Sequence, residues 1–354
     1  MRMCQALASN GNDVELIIPR KDKIYSDPFL YYGIKPNLFK ISRVLWLPIK
    51  GKGYLYSLFS AVKVRFTNPE IVYSRNLVAA WVAAFLGCKV IFESHFPVSS
   101  SGFISKRIFN SLINKNKLIK LVVITHALKK YYEEDSPSLR KKIQVLPDAA
   151  YAYDEQCSPL PLQGNVDNVN VGYVGSLHKG KGLEIISKLA IICSYANFHV
   201  VGGEASQVKY YTKKFSNIPN LFFYGHVEHH KTKSYIKAFD VVLLPNQQEV
   251  KTSGRGVNIG KWTSPLKAFE YMAEKKPIIA SDLPVLREIL IHESNALLCS
   301  ATDILQWREA LDKLRNDSHL SRSLAEKAYN DFLNNYTWTA RAKKAVHDVG
   351  GNNE

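Results

Sequence analysis

Two periodicities alternate along this chain. Short apolar runs, rich in Val, Ile and Leu, fall at 14–19, 70–74, 89–93, 121–124 and 143–145. Others fall at 170–174, 198–201, 221–223, 240–245, 277–280 and 296–299. Between them, apolar positions recur every three to four residues, as at 2–9, 53–67, 76–86, 104–114, 127–133, 206–214, 303–316, 319–334 and 338–349, and in a stretch opening at 183. Continuous apolar runs separated by helical spacing predict parallel strands with crossover helices, hence an α/β fold. From 148 to 168 the chain is polar and turn-rich, with Pro159, Pro161 and Gly164. A break of this kind predicts a linker, dividing the chain into domains at 1–150 and 151–335, with 336–354 left over.

Composition agrees with a folded, two-domain chain. Its 354 residues suffice for two domains of ordinary size, and 46% are hydrophobic against 22% charged. No apolar run reaches the ~18 residues needed to span a bilayer, and the opening helical pattern is not a signal peptide. The five cysteines (Cys4, Cys88, Cys157, Cys193, Cys299) are scattered without CxxC spacing, which predicts reduced thiols in a cytoplasmic protein.

The charge is lopsided. Of the net +16, residues 1–150 carry +13, with 23 Lys and Arg against 10 Asp and Glu. Such a half suits an anionic membrane surface or a nucleic acid. No nucleic-acid-binding signature is present. The basic aromatic stretch 34–56, IKPNLFKISRVLWLPIKGKGYLY, suits a lipid headgroup interface. Peripheral membrane contact is therefore expected; a solvated basic face is the alternative.

Candidate chemistry collects after the strands. Strand 170–174 runs into Gly175, Ser176, Leu177, His178, Lys179, Gly180, Lys181 and Gly182. A glycine turn between strand and helix lets backbone N–H groups approach a diphosphate, with lysine adding charge; the plain alternative is a surface loop with solvated lysines. Gly203 lies in a second such turn. A helix is expected to open at Thr263, Ser264, Pro265 and Leu266, its first N–H groups suited to a phosphate. Glu270, further along, can accept from vicinal sugar hydroxyls or simply pair with Lys267 at i−3. The long loop 247–262 carries Lys251 and Arg255 and is expected to close as a lid. In the first domain, His95 follows strand 89–93 in the segment ESHFP, and Arg75 holds the equivalent place one strand earlier. Carboxyl ends of parallel strands are where such sheets take ligands. His226, His229 and His230 lack the cysteine or paired acids of a zinc set, and no DxD pair is present; no metal is expected.

The segments SPLKAFEYMA and KPIIASDLPVLREIL (264–290), with the loop 175–182, resemble the donor-binding region of family 4 retaining glycosyltransferases. The resemblance implies the GT-B fold, two Rossmann-like doubly wound domains facing across a cleft, and a nucleotide-diphosphate sugar as donor. It implies that Lys181 binds the donor phosphates and that Ser176 stands where many members have arginine. Glu270 matches the second of two family glutamates and implies a ribose contact; Trp262 occupies the place of the first. The turn holding His226 and Val227 matches a segment whose backbone reads the base, and His95 matches a histidine near the donor sugar. The final segment 336–354 is expected to cross back to the first domain. The family's first strand and its glycine loop do not precede the opening helix, so a late start is expected. The setting implied is transfer to a lipid-linked or saccharide acceptor in surface polysaccharide assembly (capsule, O-antigen or exopolysaccharide). An inactive nucleotide-sugar-binding remnant and a sugar-nucleotide epimerase of the same fold stay open.

Overall fold

The structure is a computed structural model that describes residues 1–20, 27–46, 52–152, 158–249, 258 and 260–347. It divides into two compact units. The first comprises Met1–Pro147 together with Trp338–Glu354, and the second is Asp148–Thr337.

The first unit runs α1 (Arg2–Ser9), β1 (Glu15–Pro19), α2 (Pro28–Tyr32), β2 (Lys40–Val44), α3 (Lys52–Thr67), β3 (Val72–Ser74), α4 (Leu77–Phe85), β4 (Val90–Ser94), α5 (Phe103–Ile113), β5 (Leu118–Val123), α6 (His126–Asp135) and β6 (Ile143–Val145). Short polar side chains start several helices by accepting from first-turn amides: Asp27 for α2, Asn76 for α4 and Thr125 for α6. All strand pairing is parallel, in two sheets of order β1-β2 and β3-β4-β5-β6. Among the described residues no strand joins the two.

Two elements here escape the periodicity reading, α2 and β2. β2 lies inside the stretch taken above for a headgroup interface. It pairs in register with β1, Glu15 opposite Lys40, and Ile34, Phe39 and Val44 are buried. Much of that apolar content therefore belongs to the core. Five residues of the stretch, 47–51, lie outside the described set. Leu45 and Tyr54 of the stretch stay exposed, and further exposed apolar surface follows it. α3 turns Tyr54, Leu58, Phe59, Val62 and Phe66 outward while Ser57 and Ser60 face inward, their hydroxyls donating to Gly53 O and Tyr56 O.

The second unit runs β7 (Val169–Val174), α7 (Leu183–Ile192), β8 (Ala196–Val201), α8 (Ala205–Lys214), β9 (Leu221–Gly225), α9 (His229–Ala238), β10 (Val241–Leu244), α10 (Leu266–Ala273), β11 (Ile278–Ser281), β12 (Leu297–Cys299), α11 (Ile304–Asn316) and α12 (Ser318–Asn335). Its six strands are parallel in the order β12-β11-β10-β7-β8-β9. Successive strand residues alternate between the sheet's faces. Val171, Tyr173, Phe198, Val200 and Leu243 pack with α7 and Trp307 of α11 on one face. Val174, Val201, Val242 and Leu244 pack with Phe269 of α10 and Phe332 of α12 on the other. Gly172 interrupts β7 because a Cβ there would lie 1.9 Å from the Phe239 ring. His199, fully buried on β8, stacks between Phe222 and Phe239. Burial pushes its pKa down to about 4, so it is a neutral core residue near pH 7.

α13 (Trp338–Val346) belongs to the first unit. Its Ala342 and Val346 pack with Ala6 and Leu7 of α1. Lys120 Nζ donates to the carbonyls of Lys344, Ala345 and His347, closing its C-terminal end. The boundaries fall at Pro147/Asp148 and Thr337/Trp338. The four described cysteines are free thiols, and among the described residues no helix is long and apolar enough to cross a membrane.

Candidate active site

In the second unit the chain leaves β7 for β8 on one side and returns to β10 on the other. A doubly wound sheet opens a crevice at such a switch point, at the carboxyl ends of its strands. The loop after β7 and the start of α10 both lie on this edge. Backbone packs against backbone here, which is why glycine recurs. Gly182, at φ +82°, would place a Cβ 1.9 Å from Pro245 O, and Gly202, at φ +119°, one 2.1 Å from Gly175 O. Gln247 N donates to Gly180 O at 2.8 Å, and Gly202 N to Gly225 O at 2.7 Å.

Lys181 sits in this edge half-buried. Among the described residues it has no ion-pair partner, and burial lowers its pKa. A buried cation is stabilised by any anion that reaches it. Lys179 is exposed and lines an open hollow of about 340 Å³ with His178, Ser206, Gln207 and Tyr210. Gln207 Nε2 donates to His178 Nδ1 at 3.3 Å. The sequence places Lys179 and His178 in the loop but gives no role to Ser206, Gln207 or Tyr210 beside them. Their one signal was a capping pattern, Glu204 with Gln207, at the start of α8.

α10 begins at Leu266, later than expected, with Pro265 preceding it and no side-chain cap. Thr263 and Ser264 therefore lie outside the helix. Ser264, buried, accepts from Asp148 N at 3.0 Å instead of capping. Leu266 is exposed at the uncapped start. The Tyr271 hydroxyl accepts from Val174 N at 2.8 Å, which fixes α10 against the end of β7. Glu270 is paired with Lys267, the i−3 partner foreseen as the plain alternative. Gly175 is not available as a phosphate donor: its N–H goes to Val201 O at 2.9 Å, and a Cβ would meet the Tyr173 hydroxyl at 2.6 Å. Ser176 uses its carbonyl to accept from that hydroxyl at 2.8 Å. Gly203, His226 and Val227 follow β8 and β9 on the same edge, His226 exposed and Val227 packed beneath. Arg255 and Lys251, proposed lid residues, lie outside the described residues.

In the first unit, Arg75 and His95 meet at the carboxyl ends of β3 and β4. Arg75 Nη2 lies 3.1 Å from His95 Nδ1, and His95 Nε2 lies 2.5 Å from Glu93 Oε1. Both ring nitrogens are thus engaged inside this unit. Glu93 also accepts from the Tyr73 hydroxyl and pairs with Arg341 of α13 at 3.2 Å.

Residues 163–331, all within the second unit, match the family described as Glycosyl transferases group 1. A glycosyltransferase of Haemophilus influenzae is 22% identical over 347 residues, spanning 93% of this chain and 88% of that protein. Among solved structures, Anabaena Alr3699/HepE in complex with UDP and glucose superposes with a TM-score of 0.71 at 15% identity, over 99% of this chain and 95% of the other. WaaG, a glycosyltransferase involved in lipopolysaccharide biosynthesis, gives 0.65 at 15% identity over 99% and 95%. The fold is that of the GT-B glycosyltransferases. The second unit carries the match to the group 1 glycosyltransferases.

Proposed function

We propose that the chain is a retaining, family 4 type hexosyltransferase. It moves a sugar from a nucleoside-diphosphate donor to a lipid-linked or saccharide acceptor in surface polysaccharide assembly. The observation carrying this reading is Lys181, a half-buried cation without an ion-pair partner among the described residues, on the same sheet edge as the uncapped start of α10. Cleaving a sugar–phosphate bond leaves a diphosphate whose growing charge needs fixed positive groups. Lys181 and the amides opening α10 supply them without a metal. The first unit takes the acceptor, whose hydroxyl oxygen bonds to the anomeric carbon on the face the diphosphate leaves. The departing phosphate oxygen takes the hydroxyl proton. Glu270 reaches the ribose hydroxyls once Lys267 gives way.

A thermal-shift screen of nucleotide sugars in EDTA tests the reading. One donor at a hundred times its Kd should stabilise the fold by about 2.7 kcal/mol. Its transfer to acceptor should proceed in EDTA with the anomeric configuration kept, as read by NMR. A screen in which no nucleotide sugar raises the melting temperature overturns the proposal.

We further propose peripheral attachment to the inner face of the cell membrane, through the apolar outer face of α3 and the basic charge around it. The protein should co-sediment with phosphatidylglycerol vesicles at low salt and not with neutral ones. A Phe59→Ser/Phe66→Ser variant that co-sediments as well as the parent removes α3 from the contact.

A further inference from the structure

Glu93 closes β4 with its side chain only 5% exposed. Burial opposes its ionisation, yet Arg341, His95 and Tyr73 together hold it well below the usual carboxylate range. The carboxylate is therefore an anion near pH 7. What it does to His95 follows from donor and acceptor chemistry. A guanidinium has no acceptor, so the Arg75 contact at 3.1 Å requires a bare lone pair on His95 Nδ1. The ring proton of the neutral imidazole then sits on Nε2, pointing at Glu93 Oε1. Both partners demand the same tautomer. Arg75 covers the bare nitrogen with a side chain that is 64% exposed, so a sugar hydroxyl can replace it; Glu93 cannot leave.

The same carboxylate reaches the two places where the chain crosses between units. Arg341, 3% exposed, pairs with Glu93 Oε2 and donates to Leu146 O at 3.2 Å and Pro147 O at 2.8 Å. Leu146 and Pro147 are the last residues before the first crossing, and Arg341 follows the second by a few residues.

We infer that Glu93 is a positioning residue of this transferase: it fixes His95 with Nδ1 as the acceptor atom offered to a sugar hydroxyl, and through Arg341 it fastens that histidine to both chain crossings. The inference rests on the transferase reading for its effect on rate, but not for the state of the ring.

Two measurements therefore separate them. Long-range proton–nitrogen NMR of the histidine rings, with His95 assigned from the signals lost in His95→Gln, should show its proton on Nε2 and none on Nδ1 above pH 8. In Glu93→Gln the side-chain amide keeps Arg341 and Tyr73 on its oxygen and turns its NH₂ to Nε2. The proton should move to Nδ1, kcat should fall at least tenfold, and the donor's KM and its thermal stabilisation should stay within twofold. Should that variant not fold, Glu93→Gln/Arg341→Met removes the unpaired cation and is read the same way. A proton on Nδ1 in the parent protein, or a folded variant with parental kcat, overturns the inference. A protein that binds no nucleotide sugar overturns the transferase reading alone, since the ring state is measured without turnover.

Discussion

Replacing Lys181 with Met should lower kcat/KM for sugar transfer by roughly ten- to a hundredfold while leaving the melting temperature unchanged or raised. The two halves of this result come from one fact. In the unliganded protein Lys181 carries a charge that burial disfavours and no described carboxylate offsets. Removing it relieves that cost. In the complex the same ammonium would meet a diphosphate, and a charge-assisted contact of this kind is worth ~1.5–3 kcal/mol. A site that binds the leaving group is expected to show this opposition between stability and rate. A structural lysine shows the reverse, because its loss removes a bond the fold already uses. Lys276 is the control within the same unit. Its Nζ donates to Lys237 O and Phe239 O, so Lys276→Met should lower the melting temperature. Parental kcat/KM in Lys181→Met would remove the loop 175–182 from the donor site.

Arg341→Met should destabilise the first unit by ~3–5 kcal/mol, because it leaves Glu93 buried and charged with its main counter-ion gone. It also frees the Leu146 and Pro147 carbonyls. The two units need not unfold together, so the transition to follow is that of the first unit alone. Glu93 gives the pH dependence its sign. Its pKa in the folded state lies below the unfolded value, so its contribution is complete above the ordinary carboxylate range and fades as the pH drops through and below it. The gap between Arg341→Met and the parent should therefore narrow in acid. Joining Glu93→Gln to Arg341→Met replaces both charges with neutral side chains of similar volume and should recover more than half of the loss. A destabilisation below ~1 kcal/mol for Arg341→Met, measured by denaturant titration at pH 7, would show that the pair contributes no more than a surface bridge.

Much of this was legible in the residues, for definite reasons. Strands buried on both faces must be continuously apolar, and helices packed on one side must repeat every three to four residues. The six strands of the second unit, and the glycine turn at 175–182, followed from that alone, whereas α9 (His229–Ala238) did not. β2 stayed hidden because a strand in a two-stranded sheet, with charged Lys40 and Arg43 on its outer positions, carries neither signature. α3 is a helix as its spacing predicts, yet several of its apolar residues face out while Ser57 and Ser60 are satisfied internally by backbone carbonyls.

By itself the sequence determined the fold class, the two-domain division, the loop that holds Lys181 and the helix that holds Glu270. These depend on periodicity and on glycine's freedom at positive φ, both properties of neighbouring residues. Only the tertiary structure decided how the polar atoms are spent. It committed the Gly175 amide to Val201 and the Ser264 hydroxyl to Asp148. It left Lys181 without a partner among the described residues, and it joined Glu93 to an arginine almost 250 positions away. A hydrogen bond or an ion pair is a matter of a few ångströms between groups that chain order does not relate, and only folding brings them together.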